Sequence, residues 1–305
     1  MSSNLGVLIF FTILSTVGFI ISLVVPSLSN IPNNGFFNNT IGSVSAKYPT
    51  DVTPADYAFS IWGLIYLFQI AWLSYAYSCM CRSNKSGVVL ANPVVLPIKF
   101  HVAWLGTCVF VVLWTFYFLA EQILISAVCL LMTTLFGYAC SAINAIATTD
   151  NEKQLETESP ADLICIRVLI QNGLDLFFSW TTVATLIGLA MTLTYDPNVP
   201  KNYSQEDAGS ICLYILGSLV ILWSVLENTK FFSLFKYVYA WYFVLIWALS
   251  ALIVKNPDVS QKNTIITIMI LCVAVVCLAA KITVFCLRPS VAYKKVEKYQ
   301  MFDTK

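Results

Sequence analysis

The chain alternates between long apolar runs and short polar connections. Eight of the runs approach or exceed the roughly 20 residues that a bilayer-spanning helix needs. The predicted spans are Leu5–Val25, Ala58–Cys79, Phe100–Leu119, Ile123–Ala147, Leu163–Leu189, Ile211–Leu226, Tyr237–Val254 and Thr264–Leu287. Turn-forming Pro, Asn, Asp and Gly residues separate them. The pattern predicts an all-α fold, a polytopic membrane helix bundle of about eight transmembrane helices.

Composition supports this interpretation and narrows the functional classes. Hydrophobic residues make up 58% of the 305 positions and charged residues 11%, whereas a soluble domain carries roughly 25% charged residues. We therefore expect membrane lipid around the chain. The net charge of +1 does not suggest nucleic-acid binding. The first run starts without charge and lacks a clear cleavage site, so we interpret it as a span and not as a signal peptide.

Basic residues are distributed asymmetrically between alternate connections. With the N-terminus in the cytosol, inner loops and the tail hold eleven Lys and Arg residues and outer loops hold four. This bias predicts cytosolic N- and C-termini, in the plasma membrane or an endomembrane. Triplets beginning at Asn38 and Asn202 fall in outer loops and predict glycosylation. Cys79 and Cys81, at the predicted cytosolic end of the second span, are candidates for palmitoylation, although an ordinary packing role fits them equally.

The fifth span carries a polar stripe. Arg167, Gln171, Asp175 and Ser179 are spaced four apart and share a helical face. Asp175 lies roughly 12 residues, about 18 Å, from the predicted cytosolic end, where an acid costs about 2.5–3.5 kcal/mol. We expect it to face the bundle interior, with Arg167 (through Gln171 or water) or Lys281 as partner. Lys281 is otherwise expected to extend to the interface.

The fourth span repeats the pattern more weakly. Tyr138, Ser141, Asn144 and Thr148 lie on one side of it. Because a short connection joins the two spans, we expect their polar faces to meet. Either a polar cavity or interhelical hydrogen bonding would account for the two faces.

Aromatic residues crowd the start of the second span, "TPADYAFSIWGLIYLFQIAW". Tyr57 and Trp72 suit a membrane interface, but Trp62, Trp114 and Trp180 lie deeper. A buried indole needs a partner for its N–H or a flat ligand on which to stack. The alternative is ring packing between helices, with Gly63 allowing close approach.

These segments resemble the tryptophan-rich sensory protein family, also called TspO or translocator protein. Its second-helix pattern Pro-x-Trp-x-Phe-x-Pro-x-Trp-x-x-Leu-Tyr is similar to the stretch that holds Pro54, Tyr57, Phe59, Trp62 and Tyr66, with one residue fewer between Phe and Trp. "CVFVVLWTFYF" resembles the third helix, and "SWTTVATLIGL" the fifth. Trp114, Phe118, Trp180 and Ala184 match, whereas Val111 and Gly188 replace the family's asparagines.

The resemblance implies a fold and a ligand class. Residues 1–195 would form a TspO-like five-helix unit, 196–287 three additional transmembrane helices, and 288–305 a basic cytosolic tail. The family binds flat hydrophobic molecules such as porphyrins and sterols. By resemblance the cavity would be lined by Tyr57, Phe59, Trp62, Tyr66, Trp114 and Trp180, and the polar stripe of the fifth span adds Asp175 as a ligand-binding candidate. The resemblance names no cofactor and leaves a homodimer open.

Two other functional classes compete with a ligand-binding sensor or carrier. A membrane transporter would use Asp175 for proton or substrate coupling. An enzyme is not predicted, because no nucleophile–base pair and no phosphate loop occurs; catalysis would have to rest on Asp175, Glu121 and tyrosines. No metal site is predicted either, since the ten cysteines have no metal-ligand spacing and there is a single histidine.

Overall fold

A computed structural model describes residues 5–31, 35–199 and 203–288. The described chain folds into helices and one minimal hairpin. In order they are α1 (Leu5–Leu28), α2 (Ile41–Lys47), a 3-10 turn (Asp56–Ser60), α3 (Ile61–Cys81), β1 (Ser83–Asn84), β2 (Gly87–Val88), α4 (Ile98–Leu119), α5 (Ile123–Asp150), α6 (Glu152–Glu158), α7 (Pro160–Cys165), a π-helical segment (Ile166–Gln171), α8 (Asn172–Tyr195), α9 (Gln205–Asn228), α10 (Phe232–Phe235), α11 (Ala240–Lys255) and α12 (Lys262–Leu287). The all-α polytopic bundle predicted from sequence is confirmed.

Seven helical segments within the described residues are long and apolar enough to cross a membrane. The fifth runs without interruption from Pro160 to Tyr195, so it ends six residues beyond the predicted Leu189. The predicted seventh span is shorter than the others: α11 has 16 residues. The chain before it, which the prediction placed partly in the span, forms α10 and an irregular connection.

Helix ends follow from local sequence. Thr40 caps α2 in a reciprocal capping box with Ser43, and Ser204 accepts the Asp207 N–H at the start of α9. Pro160 stands in the first turn of α7, where a missing N–H costs nothing. The Thr40 and Ser204 side chains satisfy donors that would otherwise be unpaired at the helix starts.

The helices pack as two groups that meet at α8. In the first group α4 lies between α1 and α5, and α5 packs against α8; in the second, α12 packs on α9 and α11. Both α9 and α11 contact α8. The largest core cluster therefore includes Val244, Ala248 and Ala251 of α11 together with the large rings of α3, α4 and α8.

One contact between helices depends on a glycine. Gly137 of α5 lies against the Phe178 ring of α8, and a Cβ atom at this position would come within 2.0 Å of a ring carbon. The missing side chain lets α5 and α8 approach closely, as small residues do in membrane bundles.

The two ends of the bundle are distinguished by their connections. The hairpin end carries β1–β2, α6 and α10, and there Arg82 binds Asp162 at 2.7 Å. The α2 end carries α2 and the α4–α5 turn, where Glu121, which has a positive φ, pairs with Lys47 and accepts the Tyr48 hydroxyl at 2.8 Å. These pairs attach surface segments to the transmembrane helices.

Candidate functional site

Aromatic rings line the contact between α3 and α8. Phe59, Trp62 and Tyr66 follow one stripe of the 3-10 turn and α3, at the spacing of a helical face. Trp62 stacks on Tyr66 with ring centroids 5.6 Å apart. Phe177 and Trp180 of α8 meet this stripe edge to face, Phe177 on Trp62 at 6.0 Å and Trp180 on Phe59 at 5.8 Å. We call these five rings the aromatic seam.

A ring from α11 holds the start of the seam in place. Trp247 donates its indole N–H to the Ala58 carbonyl at 2.9 Å and packs edge to face on Tyr57 at 5.5 Å. Since Ala58 and Tyr57 belong to the 3-10 turn, α11 sets the position of Phe59. Sequence reasoning missed Trp247, although its segment is rich in aromatic residues.

The α3 side of the seam is accessible from the surface of the bundle. Phe59 is 39% exposed and Tyr57 46%, Trp62 and Tyr66 are half-buried, and Trp180 beneath them is buried. A Cβ atom on Gly63 would meet open space. The expectation that Gly63 allows close helix approach is therefore wrong, because this residue faces outward beside Trp62.

Two predicted aromatic positions lie elsewhere. Trp114 stacks on Phe118 in a separate cluster beneath α2. Trp72, expected at an interface, is fully buried and donates its N–H to Gln69 at 2.7 Å. Its ring packs on Trp104 and Phe100, so the expectation of an interfacial Trp72 is wrong.

Two small cavities in the described part of the chain lie away from the seam. Each offers about 10 Å³, which is about the room that one water molecule needs. One lies beneath the hairpin, next to Tyr75 and Asp162, and the other near Asp51 and Asn263 at the α2 end. The closed aromatic cavity implied by the resemblance stays a prediction, and the seam is the place where most of its proposed walls come together.

A second constellation surrounds Asp175, which is buried. Its Oδ2 atom accepts the backbone N–H of Trp241, in the first turn of α11, at 2.6 Å. Asn172, one turn earlier on α8, accepts the Tyr239 N–H at 2.9 Å and donates to the Tyr237 carbonyl at 2.9 Å. The acid and the amide therefore satisfy the start of α11, where a helix leaves N–H groups unpaired.

Lys281 does not extend to the interface as expected. It is buried, at 3% exposure, and its Nζ atom pairs with Glu227 of α9 at 2.5 Å. It also donates to the Val238 carbonyl, while the Tyr242 hydroxyl donates to the other oxygen of Glu227. The predicted sixth span ends at Leu226, one residue before Glu227, so the sequence pattern offers Lys281 no acid of α9 as a partner. A lysine within an apolar run requires a counter-ion, and that signal was available.

Arg167 is not the partner of Asp175. The guanidinium pairs with Glu152 at the start of α6 and lies over the Tyr237 ring, 3.8 Å from its centroid. Lys236 binds the same Glu152 carboxylate at 3.0 Å. The π-helical segment contains Arg167 and breaks the regular spacing on which the predicted stripe was based.

Of the four predicted polar residues of α5, Tyr138 is the one that hydrogen-bonds to α8, and Thr134, which was not predicted, adds a second contact. Tyr138 is hydrogen-bonded to Thr182 at 2.9 Å, and Thr134 donates to Thr181 at 3.0 Å. Further along α5, Asn144 donates to the Val95 carbonyl at 3.0 Å instead of reaching α8. The faces therefore form direct interhelical hydrogen bonds near Asp175.

The predicted modification sites differ in accessibility. Asn38 is exposed in the connection before α2, and Asn202 lies outside the described residues. Cys81 is exposed at the end of α3, whereas Cys79 is buried. Asn38 and Cys81 are therefore the positions that an enzyme could reach in the described part, and their modification stays a prediction.

Comparison with known proteins supports a single family. A search of curated proteins returned no match, and a search of solved structures returned none either. A family model described as TSPO-like protein matches residues 12–282. The match extends beyond the five spans that carry the resemblance, through α9, α11 and most of α12. The chain therefore belongs to the TSPO-like protein family.

Proposed function

We propose that this multi-pass membrane protein binds a flat hydrophobic ligand, porphyrin- or sterol-like, at the aromatic seam, as a sensor or carrier. The observation that carries the proposal is the layered arrangement of rings. Half-buried Trp62 and Tyr66 and exposed Phe59 lie over buried Phe177 and Trp180. Stacking and apolar burial bind such ligands without demanding directional contacts.

Access from the bilayer fits this chemistry. An apolar ligand dissolved in lipid would reach the outer rings laterally, beside Gly63, where no side chain stands. Widening the seam would require Phe59 or Tyr66 to turn, and both are less enclosed than the α8 rings. We further propose that the hairpin end faces the cytosol, as the Lys and Arg distribution predicts.

A protoporphyrin titration tests the proposal. Purified protein in lipid nanodiscs is titrated with protoporphyrin, and binding is followed by the porphyrin's own absorbance and emission. Trp62→Leu is expected to weaken binding about tenfold, equivalent to about 1.4 kcal/mol. Competition by a sterol separates the two ligand types.

The matched control is Trp114→Leu, because Trp114 also stacks on a phenylalanine but lies in the separate cluster under α2. Equal affinity of wild type and Trp62→Leu would contradict binding at the seam. Weakening confined to Trp114→Leu would move the ligand to the α2 cluster.

A membrane transporter is the second candidate. The buried constellation of Asp175, Glu227 and Lys281 favours it, since ionisable groups within membrane bundles mark ion and substrate pathways in many proteins. Proteoliposomes with a pH gradient would test it. The transport proposal requires uptake of a candidate substrate that depends on the gradient and is lost in Asp175→Asn.

A further inference from the structure

Three ionisable side chains from three helices converge at the start of α11. Asp175 comes from α8, Glu227 from α9 and Lys281 from α12, and each is at most 7% exposed. Lys281 and Glu227 form a direct pair, and the three side chains bind neighbouring groups at the start of α11, namely the Val238 carbonyl, the Trp241 N–H and the Tyr242 hydroxyl. We call these three residues the acid–lysine cluster.

The charges of the cluster do not balance when all three groups are ionised. Two carboxylates and one ammonium carry a net charge of −1, and an uncompensated buried charge costs several kcal/mol. The start of α11 offsets part of it, because a helix N-terminus carries roughly half a positive charge. A single bound proton makes the three side chains neutral together.

Hydrogen bonding indicates which carboxylate takes the proton. Both oxygens of Glu227 already accept donors, one from Lys281 and one from Tyr242. Asp175 accepts through Oδ2 from Trp241, and its Oδ1 accepts no hydrogen bond from the described residues. A proton on Oδ1 disturbs none of these contacts.

The remaining titratable groups around Asp175 do not supply a compensating positive charge. Tyr138 approaches from α5, and Tyr239 and Tyr242 flank Lys281 at 4.9 and 5.7 Å from their ring centroids. Cys277 and Cys286 of α12 lie near these two tyrosines. Among the described residues around Asp175, Lys281 is therefore the group that carries a positive charge.

We propose that the acid–lysine cluster is a proton-binding site, with one exchangeable proton held at Asp175 Oδ1. In binding, a proton from water forms the Oδ1–H bond, and release returns it to water. Release leaves a charged carboxylate against the first turn of α11, so proton occupancy is linked to how firmly α11 is held. The inference requires neither ligand binding nor transport.

Infrared spectroscopy of isotope-labelled protein tests the site directly. Wild-type protein in nanodiscs, with ¹³C in the aspartate carboxyl groups, is compared with protein labelled at glutamate. At neutral pH we expect a protonated-carboxyl C=O band that shifts with the aspartate label. The band should disappear in Asp175→Asn.

Asp196→Asn is the matched control. Asp196 is equally buried and also accepts an N–H in the first turn of a helix, that of Leu124 at 3.3 Å. Loss of the band in this variant instead of in Asp175→Asn would overturn the assignment, as would a band that shifts only with the glutamate label. Because the label alone separates the two acids, absence of any protonated-carboxyl band in the wild type overturns the proposal without a variant.

Amide exchange tests the link to α11. At one fixed pH, Asp175→Asn and wild type are compared by hydrogen exchange over Trp241–Val244. If Asp175 already carries the proton at that pH, replacing it with neutral asparagine should change the exchange rates of these amides by less than about threefold. Exchange at least tenfold faster in Asp175→Asn would show that the wild type depends on an ionised carboxylate, which contradicts the proposal.

Discussion

Single residues decide how closely the helices approach, and Gly137 shows it most directly. Gly137→Ala is expected to lower stability by about 1–3 kcal/mol, because the added methyl group overlaps the Phe178 ring. Thermal unfolding in detergent measures the change. Gly63→Ala is the control, since its methyl group meets open space and alanine favours the helix by up to about 1 kcal/mol. Equal destabilisation by the two variants would contradict the packing argument.

The Glu121 network at the α2 end depends on pH. Hydrogen bonds from Lys47 and Tyr48 hold the pKa of Glu121 below its ordinary value. The stabilisation is therefore complete above the ordinary glutamate pKa and is lost as pH falls through the lowered value. The hydrogen bond to Glu121 raises the pKa of Lys47. The stabilisation that Lys47 contributes is therefore complete below the ordinary lysine pKa and is lost as pH rises through the raised value.

Glu121→Gln tests this network. The unfolding midpoint of wild type should exceed that of Glu121→Gln at pH 6, and the difference should shrink below about pH 4, where carboxylates take up protons. A difference that stays constant down to pH 3 would show that charge on Glu121 does not hold α2.

Residues also show the limits of prediction from sequence. The burial of Asp175 could be predicted, since an acid at that depth must avoid lipid. Its partner could not, because a backbone N–H leaves no signature in the side-chain pattern. Lys281 was predicted wrongly for a related reason: its counter-ion Glu227 lies 54 positions away, and nothing local indicates that α9 and α12 are neighbours.

At the scale of elements, the connection before α11 depends on Asn172. Asn172→Ala leaves the Tyr239 N–H and the Tyr237 carbonyl without that partner and is expected to cost about 1–3 kcal/mol. Limited proteolysis and thermal unfolding both report the loss. In the control Asn228→Ala, the removed amide donates to Ser224 within its own helix, so a smaller effect is expected. A larger effect in the control would contradict a special role for Asn172.

The transmembrane helices could be predicted from the sequence, because a backbone surrounded by lipid must satisfy its hydrogen bonds internally. Long apolar runs of the right length leave little alternative to a spanning helix, and in the described residues seven of the eight runs contain one, while the eighth contains the shorter α11. The start of α11 was missed because Tyr237 and Val238 are as apolar as a helix requires. They stay irregular because Asn172 and Lys281 satisfy their carbonyls, and this could not be predicted from the run alone.

At the scale of the whole molecule, the division between residues 1–195 and 196–287 stays a prediction. Both parts contribute to the acid–lysine cluster, since Asp175 belongs to the first part and Glu227 and Lys281 belong to the second. A fragment of residues 1–204 would present Asp175 to lipid without Trp241, Lys281 or Glu227. The exposed acid costs about 2.5–3.5 kcal/mol. We therefore expect the fragment to be recovered in low yield.

Asp175→Leu is expected to change the yield in opposite directions in the fragment and in the full chain. In the fragment it removes an unpaired acid and is expected to raise the monodisperse yield, measured by size-exclusion chromatography. In the full chain it leaves the first turn of α11 without its acceptor and is expected to lower the yield. If Asp175→Leu lowers both yields, the acid has a role that does not depend on the last three spans.

The shortness of α11 has an electrical consequence. Its 16 residues rise about 24 Å, which is less than the roughly 30 Å thickness of the hydrocarbon core of a bilayer. Directly before α11 the chain forms an irregular connection beside the Arg167–Glu152–Lys236 ion pairs. Because charged groups and irregular backbone are more polarisable than packed apolar helices, we expect an applied membrane voltage to fall less steeply across this connection than along α11.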